Sequence, residues 1–400
     1  MQVDGHGPLD GVRVLDASRV LAGPLAGQIL GDLGADVIKV ERPGSGDETR
    51  GWGPPFAADL SAYYLSCNRN KKGITLDLSQ QDGLELFYRL VSKSDILLEN
   101  FRAASADKLG VSPAQLHAHN QRLIIASISG FGRTGPWSDL PGYDFAIQGL
   151  SGLMSITGPA AGPPSKVGVA VTDVLTGLYA ATAVLACLHA RQTSGHGYAI
   201  DLALLDCAIA AQVNVAQAFL TSGEVPPRQG NAHLQIVPYQ AFATADEWLI
   251  LAVGNDQQWQ RFCEAAGRPD LGADPRFTTN RQRVQQRSEL SPLLEALFRT
   301  RSVQAWRTAL DAANVPNAPV WDYAQLFASD QARARGLSVR VTDPQGQPVD
   351  LIGSPLHIGG AGSVPPMMPP RLGQDTAEVL RDLLQLDDAA LARLRAARVI

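Results

Sequence analysis

The sequence predicts an α/β protein built on an open, mostly parallel sheet. Three observations carry this expectation. Residues 12–18 (VRVLDAS), 24–34 (PLAGQILGDLG) and 35–41 (ADVIKVE) read as strand, helix and strand, a βαβ unit. The alternation repeats: an amphipathic helix over 79–94, with Leu84, Leu86, Phe87 and Leu90 inward, leads into a strand at 95–100, and after two short helices 122–132 is a strand again. The pattern changes only beyond the Pro- and Gly-containing stretch 224–233, where AFATADEWLILAVG (241–254) reads as a hairpin and further helices make a smaller module to about Ala328.

Composition narrows the function classes. The chain has 400 residues, 45% hydrophobic and 18% charged, which suits two domains or one large one. A net charge of −5 argues against nucleic acid as the main partner, because phosphate binding needs concentrated Lys and Arg, so any anion site must be local. Cys67, Cys187, Cys207 and Cys263 lie far apart with no CxxC and read as reduced core residues; neither a metal site nor a disulfide framework is expected. The N-terminal MQVDGHGPLDG lacks the basic and apolar regions of a signal peptide, so a cytoplasmic protein is expected. The longest apolar run, around 178–190, falls short of the roughly 20 residues that span a bilayer and reads as a buried helix.

Along the chain, Gly23, Gly27 and Gly31 share one helix face and allow close approach to a sheet or ligand. Glu41 ends the second strand where a dinucleotide-binding fold contacts ribose, which keeps a nicotinamide-dependent enzyme as an alternative although GxGxxG is absent. Arg42 follows it and suits a phosphate-bearing ligand. PGSGDETRGWGPPF (43–56) is a loop long enough to be functional. Arg69, Lys71 and Lys72 are either a solvated charge run or a cationic rim for a phosphorylated ligand. Glu99, Asn100 and Phe101 sit at the carboxyl end of one strand and Ser127 to Phe131 at another, the edge where such sheets bind ligands. FAIQGLSGLMSITG (145–158) is expected to be helical.

In VGVAVTDVLTG (167–177) the single acid, Asp173, interrupts a small-residue run just before a helical pattern. It is either the N-cap of that helix or a reactive carboxylate in a dry pocket. A strand at 198–204, one long buried helix over 204–223, a hairpin at 338–356, a Pro-rich connector at 364–373 and C-terminal helices starting from a possible cap at Asp375 complete the reading. No Ser lies in GxSxG and no phosphate-binding GxxxxGK[ST] loop occurs.

Taken together these segments resemble class III CoA-transferases, the CaiB/BaiF type that includes formyl-CoA transferase and the carnitine CoA-transferases. The resemblance spans nearly the whole chain. It rests on residues 9–47, NRNKKGITLDL, LLENF, SGFGRTGPW, PGYDFAIQG, the Asp173 segment, SGHGYAIDLALLD, GNAHLQIVPYQAF, VPNAPV and PRLGQDTAEVL. It implies that Asp173 is a nucleophile exchanging CoA between carboxylic acids through mixed-anhydride and aspartyl-CoA intermediates. It places Gly230 and Asn231 as oxyanion donors and Tyr143, Gln148 and His233 in the acyl pocket. Val20, Ala22, Arg42, Lys71, Leu76, Asn100, Phe101, Arg102 and Lys108 correspond to CoA contacts, with Lys39 and Lys72 as weaker phosphate partners. Coenzyme A or an acyl-CoA is then substrate rather than a tightly bound cofactor, and the acids are small carboxylates. Leu21 stands where formyl-CoA transferase has Gln, which argues against assuming formate and oxalate as the acids; succinate, oxalate, glutarate and itaconate are the small dicarboxylates the family's breadth suggests.

The family plan implies a Rossmann-like sheet in a large domain formed by both chain ends, a smaller α+β domain, and an interlocked homodimer without nucleic-acid or membrane partners. The corresponding boundaries are 1–200 for the large domain, 201–230 for a linker helix, 231–328 for the small domain and 329–400 for the return. α-Methylacyl-CoA racemases share the fold but use a His where this chain has Tyr143, so racemisation is the alternative reading, with a CoA-binding protein that merely caps a helix with Asp173 behind it.

Overall fold

The computed structural model describes residues 7–359 and 364–400. The start of the N-terminal stretch and part of the connector after 328 lie outside the described residues. The chain divides into two compact units. One runs to Ser151, resumes over Val167–Gln212 and again over Asp330–Ile400; the other consists of Gly152–Lys166 and Val213–Ser329.

In the first unit β1 (Arg13–Asp16), α1 (Ala22–Asp32) and β2 (Asp36–Glu41) form the expected βαβ unit. A 3₁₀ turn at Glu48–Gly51, the small hairpin β3 (Phe56–Ala57) and β4 (Leu60–Ser61), and α2 (Ala62–Cys67) occupy the following loop region. Then come β5 (Lys71–Thr75), α3 (Gln81–Val91), β6 (Ile96–Glu99), α4 (Ala103–Leu109), α5 (Pro113–His119) and β7 (Ile124–Ser129). After α6 (Asp144–Leu150), and α7 (Leu153–Ile156) of the second unit, the chain forms α8 (Val171–Ser194), β8 (Ala199–Ala203) and α9 (Leu204–Ala210).

The six strands order as β5-β2-β1-β6-β7-β8, and every pairing is parallel. Such a sheet must be covered on both faces, and the central strands accordingly read as apolar runs. Leu15, Ile38, Leu97 and Ile125 pack on one face with Phe87 and Leu90 of α3 and Leu380 and Leu391 from the C-terminal end; Val14, Val37, Leu98 and Ala126 pack on the other with Leu30 of α1 and Ala180 and Val184 of α8. The α1–α8 contact depends on small residues: a Cβ added at Gly177 would lie 2.7 Å from the Ala22 carbonyl oxygen.

Three sequence expectations need correction. FAIQGLSGLMSITG is two short helices, because Gly152 takes a left-handed φ of 81° between them. Residues 204–223 are not one helix: α9 ends at Ala210, α10 (Val213–Ser222) starts afresh, and Val213 has a φ of 28°, which a continuing helix cannot accommodate. The expected linker helix 201–230 is thereby divided, residues up to Gln212 belonging with the first unit. Finally, α8 is longer than the 178–190 run. Its 24 residues have the length and hydropathy of a membrane span, and only one face, carrying Thr172, Thr176, Gly177, Ala180, Ala181 and Val184, is buried.

The second unit has its own core, with Phe242, Leu249, Leu251, Trp259, Phe262, Phe298 and Trp306 at its centre, around the antiparallel sheet of β9 (Tyr239–Ala243), β10 (Trp248–Ala252) and β11 (Asn317–Pro319). Arg283 is fully buried there, donating to the Val237 and Phe277 carbonyls and to Asp256. The second hairpin, β12 (Ser338–Thr342) with β13 (Pro348–Ile352), belongs to the first unit.

Candidate active site

At the carboxyl ends of the parallel strands the first unit opens into a cavity of about 420 Å³. Val20 and Ala22 of the β1–α1 turn, Asn100 to Ala103 after β6, Ser127 to Gly130 at the end of β7, Arg133, Tyr143 and Asp173 line it. A second cavity of about 330 Å³ is lined by Arg42, Leu76, Asp77, Ser79 and Leu109, and Arg19 and Phe101 belong to both. This is the edge of a parallel sheet where ligand sites form, because the connecting loops there are free to vary while the strands hold them.

Asp173 is in the first turn of α8, but it does not cap the helix. Asp144 does so from α6: its carboxylate accepts the Thr172 N–H and hydroxyl, both at 2.8 Å, and the Gln148 amide at 2.7 Å. Asp173 is left half-buried with no hydrogen bond to its carboxylate among the described residues. Burial, with the Asp144 charge behind it, pushes its pKa up to about 7. The Tyr63 phenol is likewise raised by burial and then by the Asp173 charge. Two carboxylates in unlike surroundings, one capped and one bare, is a pattern that separates structural from reactive acids.

The turn before α1 is held on three sides. Lys39 donates to the Ser18 carbonyl at 3.0 Å and to Asp47 at 3.1 Å. Asn100 brackets the Arg19 backbone, accepting its N–H at 3.1 Å and donating to its carbonyl at 2.9 Å. Asp47 accepts the Val20 N–H at 3.2 Å. Glu99 is buried, and burial raises its pKa although Arg133 donates to it at 2.6 Å and the Phe101 N–H at 2.8 Å. That clamp fixes the segment that carries Asn100 to Arg102. Arg133 and Asp144 escaped the sequence reading. Arg133 follows a Gly-rich strand end and Asp144 precedes a helical pattern, cues that could have singled them out.

Several expected residues stand elsewhere. Lys71 is not a phosphate contact: its ammonium is fully buried, bound to Asp16 and the Pro24 carbonyl at 2.7 Å and to Asn68 at 2.9 Å. Lys39 is equally buried, Arg69 pairs with Asp32, and Lys72 pairs with Asp36 at 2.9 Å, so the cationic rim is consumed by internal ion pairs. Gln148 is buried with both ends of its amide engaged, by Asp144 and the Val167 N–H, and it braces the approach to α8 rather than facing an acyl group. Lys108 is exposed on α4 and lines neither cavity. Gly230, Asn231 and His233 belong to the second unit, where His233 Nδ1 accepts the Gln235 N–H at 3.0 Å. No cluster of three or more His, Cys, Asp or Glu side chains suited to a metal ion occurs among the described residues.

Residues 9–376 match the family described as CoA-transferase family III. The chain belongs to CoA-transferase family III. It is an enzyme of that class, with the α/β fold and parallel central sheet of CaiB/BaiF structures. It is 41% identical to a succinate–glutarate CoA-transferase of Agrobacterium fabrum, over 96% of this chain and 97% of the relative. A succinyl-CoA:glutarate CoA-transferase of Homo sapiens is 38% identical over 98% of this chain and 90% of its own length. Among solved structures, a CAIB/BAIF family protein from Brucella suis superposes with a TM-score of 0.83 at 41% identity, covering 94% of this chain and all of that one. These family III relatives are transferases, and the racemase and nicotinamide alternatives are not favoured.

Proposed function

We propose that this family III enzyme moves CoA between small dicarboxylates, with succinyl-CoA and glutarate as the first pair to test, through covalent intermediates on Asp173. The observation that carries the reading is the bare, half-buried Asp173 carboxylate on the wall of the 420 Å³ cavity. The relatives supply the substrate class. The Asp173 carboxylate attacks the thioester carbonyl; the C–S bond breaks, giving a mixed anhydride and CoA thiolate. The thiolate attacks the aspartyl carbonyl, releases the donor acid and leaves an aspartyl-CoA thioester. The acceptor carboxylate attacks that thioester and expels the thiolate, which then takes the acceptor acyl group and returns Asp173 as a carboxylate. Desolvation supports the chemistry twice, by making the carboxylate a stronger base and by keeping water from the anhydride.

In this reading Val20, Ala22, Asn100, Phe101 and Arg102 border the thioester and pantetheine, and Arg42 and Leu76 border the nucleotide in the second cavity. Tyr143, on the wall of the first cavity, faces the acyl group. The working molecule is an interlocked homodimer, a proposal supported by the exposed apolar side chains Leu178 and Tyr179 on α8 and checked by light scattering. The chemical test is mass spectrometry after incubation with succinyl-CoA and hydroxylamine. A hydroxamate on the Asp173 peptide, absent from Asp173→Ala, is expected. An unmodified Asp173 in an enzyme that turns over would overturn the covalent mechanism.

A further inference from the structure

Val20 has a φ of 72°, a left-handed backbone that a β-branched residue adopts only when its surroundings force it. It does so on the wall of the cavity that also contains Asp173. What forces it is visible residue by residue. Ser18 is held through its carbonyl by Lys39, and Arg19 through both backbone groups by Asn100. Val20 is held through its N–H by Asp47, while the Cys67 thiol lies 3.7 Å from its carbonyl oxygen. Asp47 is itself fixed. It is fully buried, accepts from Lys39 at 3.1 Å and from the Thr49 N–H and hydroxyl at 3.0 and 2.8 Å, and donates its own N–H to Glu41 at 2.9 Å. Burial opposes its charge, yet Lys39 and Thr49 hold its carboxyl below the usual range, so it is an acceptor at working pH.

We propose that Asp47 is a positioning residue for CoA transfer: it holds Val20 in its left-handed conformation, so that the β1–α1 turn presents its backbone to the reacting end of the acyl-CoA. The inference rests on the reading that the thioester lies in the cavity shared by Val20 and Asp173. Asp47 also borders the second cavity, so the same carboxylate ties the turn to the wall that carries Arg42 and Leu76. The energetic logic is local. Without the anchor, Val20 relaxes toward negative φ and the turn moves; a glycine there has no such preference and needs no anchor to stay.

That difference makes the test. In the full-length enzyme, kcat/KM for succinyl-CoA to glutarate transfer is measured for Asp47→Ala, which removes the acceptor of the Val20 N–H, alone and in a Val20→Gly background, each against its own parent. A loss of about tenfold or more in the native background, falling to about threefold or less when Val20 is glycine, is expected for coupling through one backbone contact. Equal losses in both backgrounds would overturn the proposal, because an Asp47 that merely supported the fold would cost the same whatever residue stands at Val20. Should Asp47→Ala fail to fold for want of a partner for Lys39, the Lys39→Met/Asp47→Ala pair replaces it in the same comparison and is read the same way. Aspartyl trapping on the parent enzyme reports on the Asp173 reading separately: without trapping the mechanism fails, whereas with trapping and equal losses only the role of Asp47 does.

Discussion

Asp144 caps the helix on which Asp173 stands, and the two carboxylates occupy successive positions of one electrostatic arrangement: three hydrogen bonds satisfy Asp144, and its charge adds to the burial that pushes Asp173 up to about 7. A nucleophile must be ionised, so a pH dependence follows. The rate constant kcat/KM for acyl-CoA should rise through pH 6–8 with an apparent pKa near 7 and level off above it. A flat profile between pH 5.5 and 8.5, with chemistry shown to be limiting, would remove Asp173 as the titrating nucleophile.

Asp144→Asn should lower that apparent pKa without restoring the ordinary carboxylate value, because burial is the larger cause and the Asp144 charge the smaller. Asn can still accept the Thr172 N–H, so α8 remains capped. The pH–rate profile of the variant decides this; a profile unmoved from wild type would show that the neighbouring charge does not reach Asp173.

The same shift makes a statement about stability. The folded-state pKa of Asp173 lies above its unfolded value, so between about pH 4 and 7 the native state binds more protons than the unfolded one and stability falls as pH rises. Asp173→Asn should therefore be more stable than wild type at pH 8, by up to about 4 kcal/mol as a ceiling before solvent screening, and no more stable near pH 3.5. Thermal unfolding across this range measures the difference; a constant difference at every pH would contradict the raised pKa.

The parallel sheet was legible because strands buried on both faces must be apolar, and Val14, Leu15, Ile38 and Leu97 are. Asp173 was legible because a single acid in an apolar run stands out, although its local pattern fitted a helix cap equally well. Asp144 settles that ambiguity from 29 positions earlier, a relation that no local pattern contains. The cationic run misled for the same reason. Lys71 reads as a surface charge until Asp16, 55 residues away in sequence, is seen 2.7 Å from its ammonium. Long-range pairing decides whether a charge meets solvent, ligand or another charge, and one chain read in order does not display it.

Gly177 gives a packing prediction for the contact between α8 and α1. A Cβ there would press to 2.7 Å of the Ala22 carbonyl oxygen and 3.4 Å of Leu25, so α8 must withdraw from the head of α1. Backbone cannot yield as a flexible side chain does, and Gly177→Ala should destabilise by about 1–3 kcal/mol despite alanine's better helix propensity. Because Ala22 lines the cavity and Asp173 precedes Gly177 by one helical turn, kcat should fall as well. A variant as stable and active as wild type would mean that the helices separate without cost.

The Asp16–Lys71 pair provides the sharpest test of the buried ionic scaffold beneath the β1–α1 turn. Both side chains are fully buried; burial opposes both charges, and each partner favours the other's ionised form. Lys71→Met leaves Asp16 with only the more distant charge of Lys39 and the hydrogen bonds of Ser18, and should cost about 3–5 kcal/mol, whereas Asp16→Asn/Lys71→Met removes both charges and should recover most of that loss. Denaturant unfolding of the two variants and of Asp16→Asn completes a double-mutant cycle, with a coupling expected above about 1.5 kcal/mol and little changed by added salt, because no solvent reaches the pair. Additive losses would show that the two charges are held by their other partners, Asn68 and the Pro24 carbonyl for Lys71 and Ser18 for Asp16, and that the scaffold is a set of separate hydrogen bonds rather than a coupled ion pair.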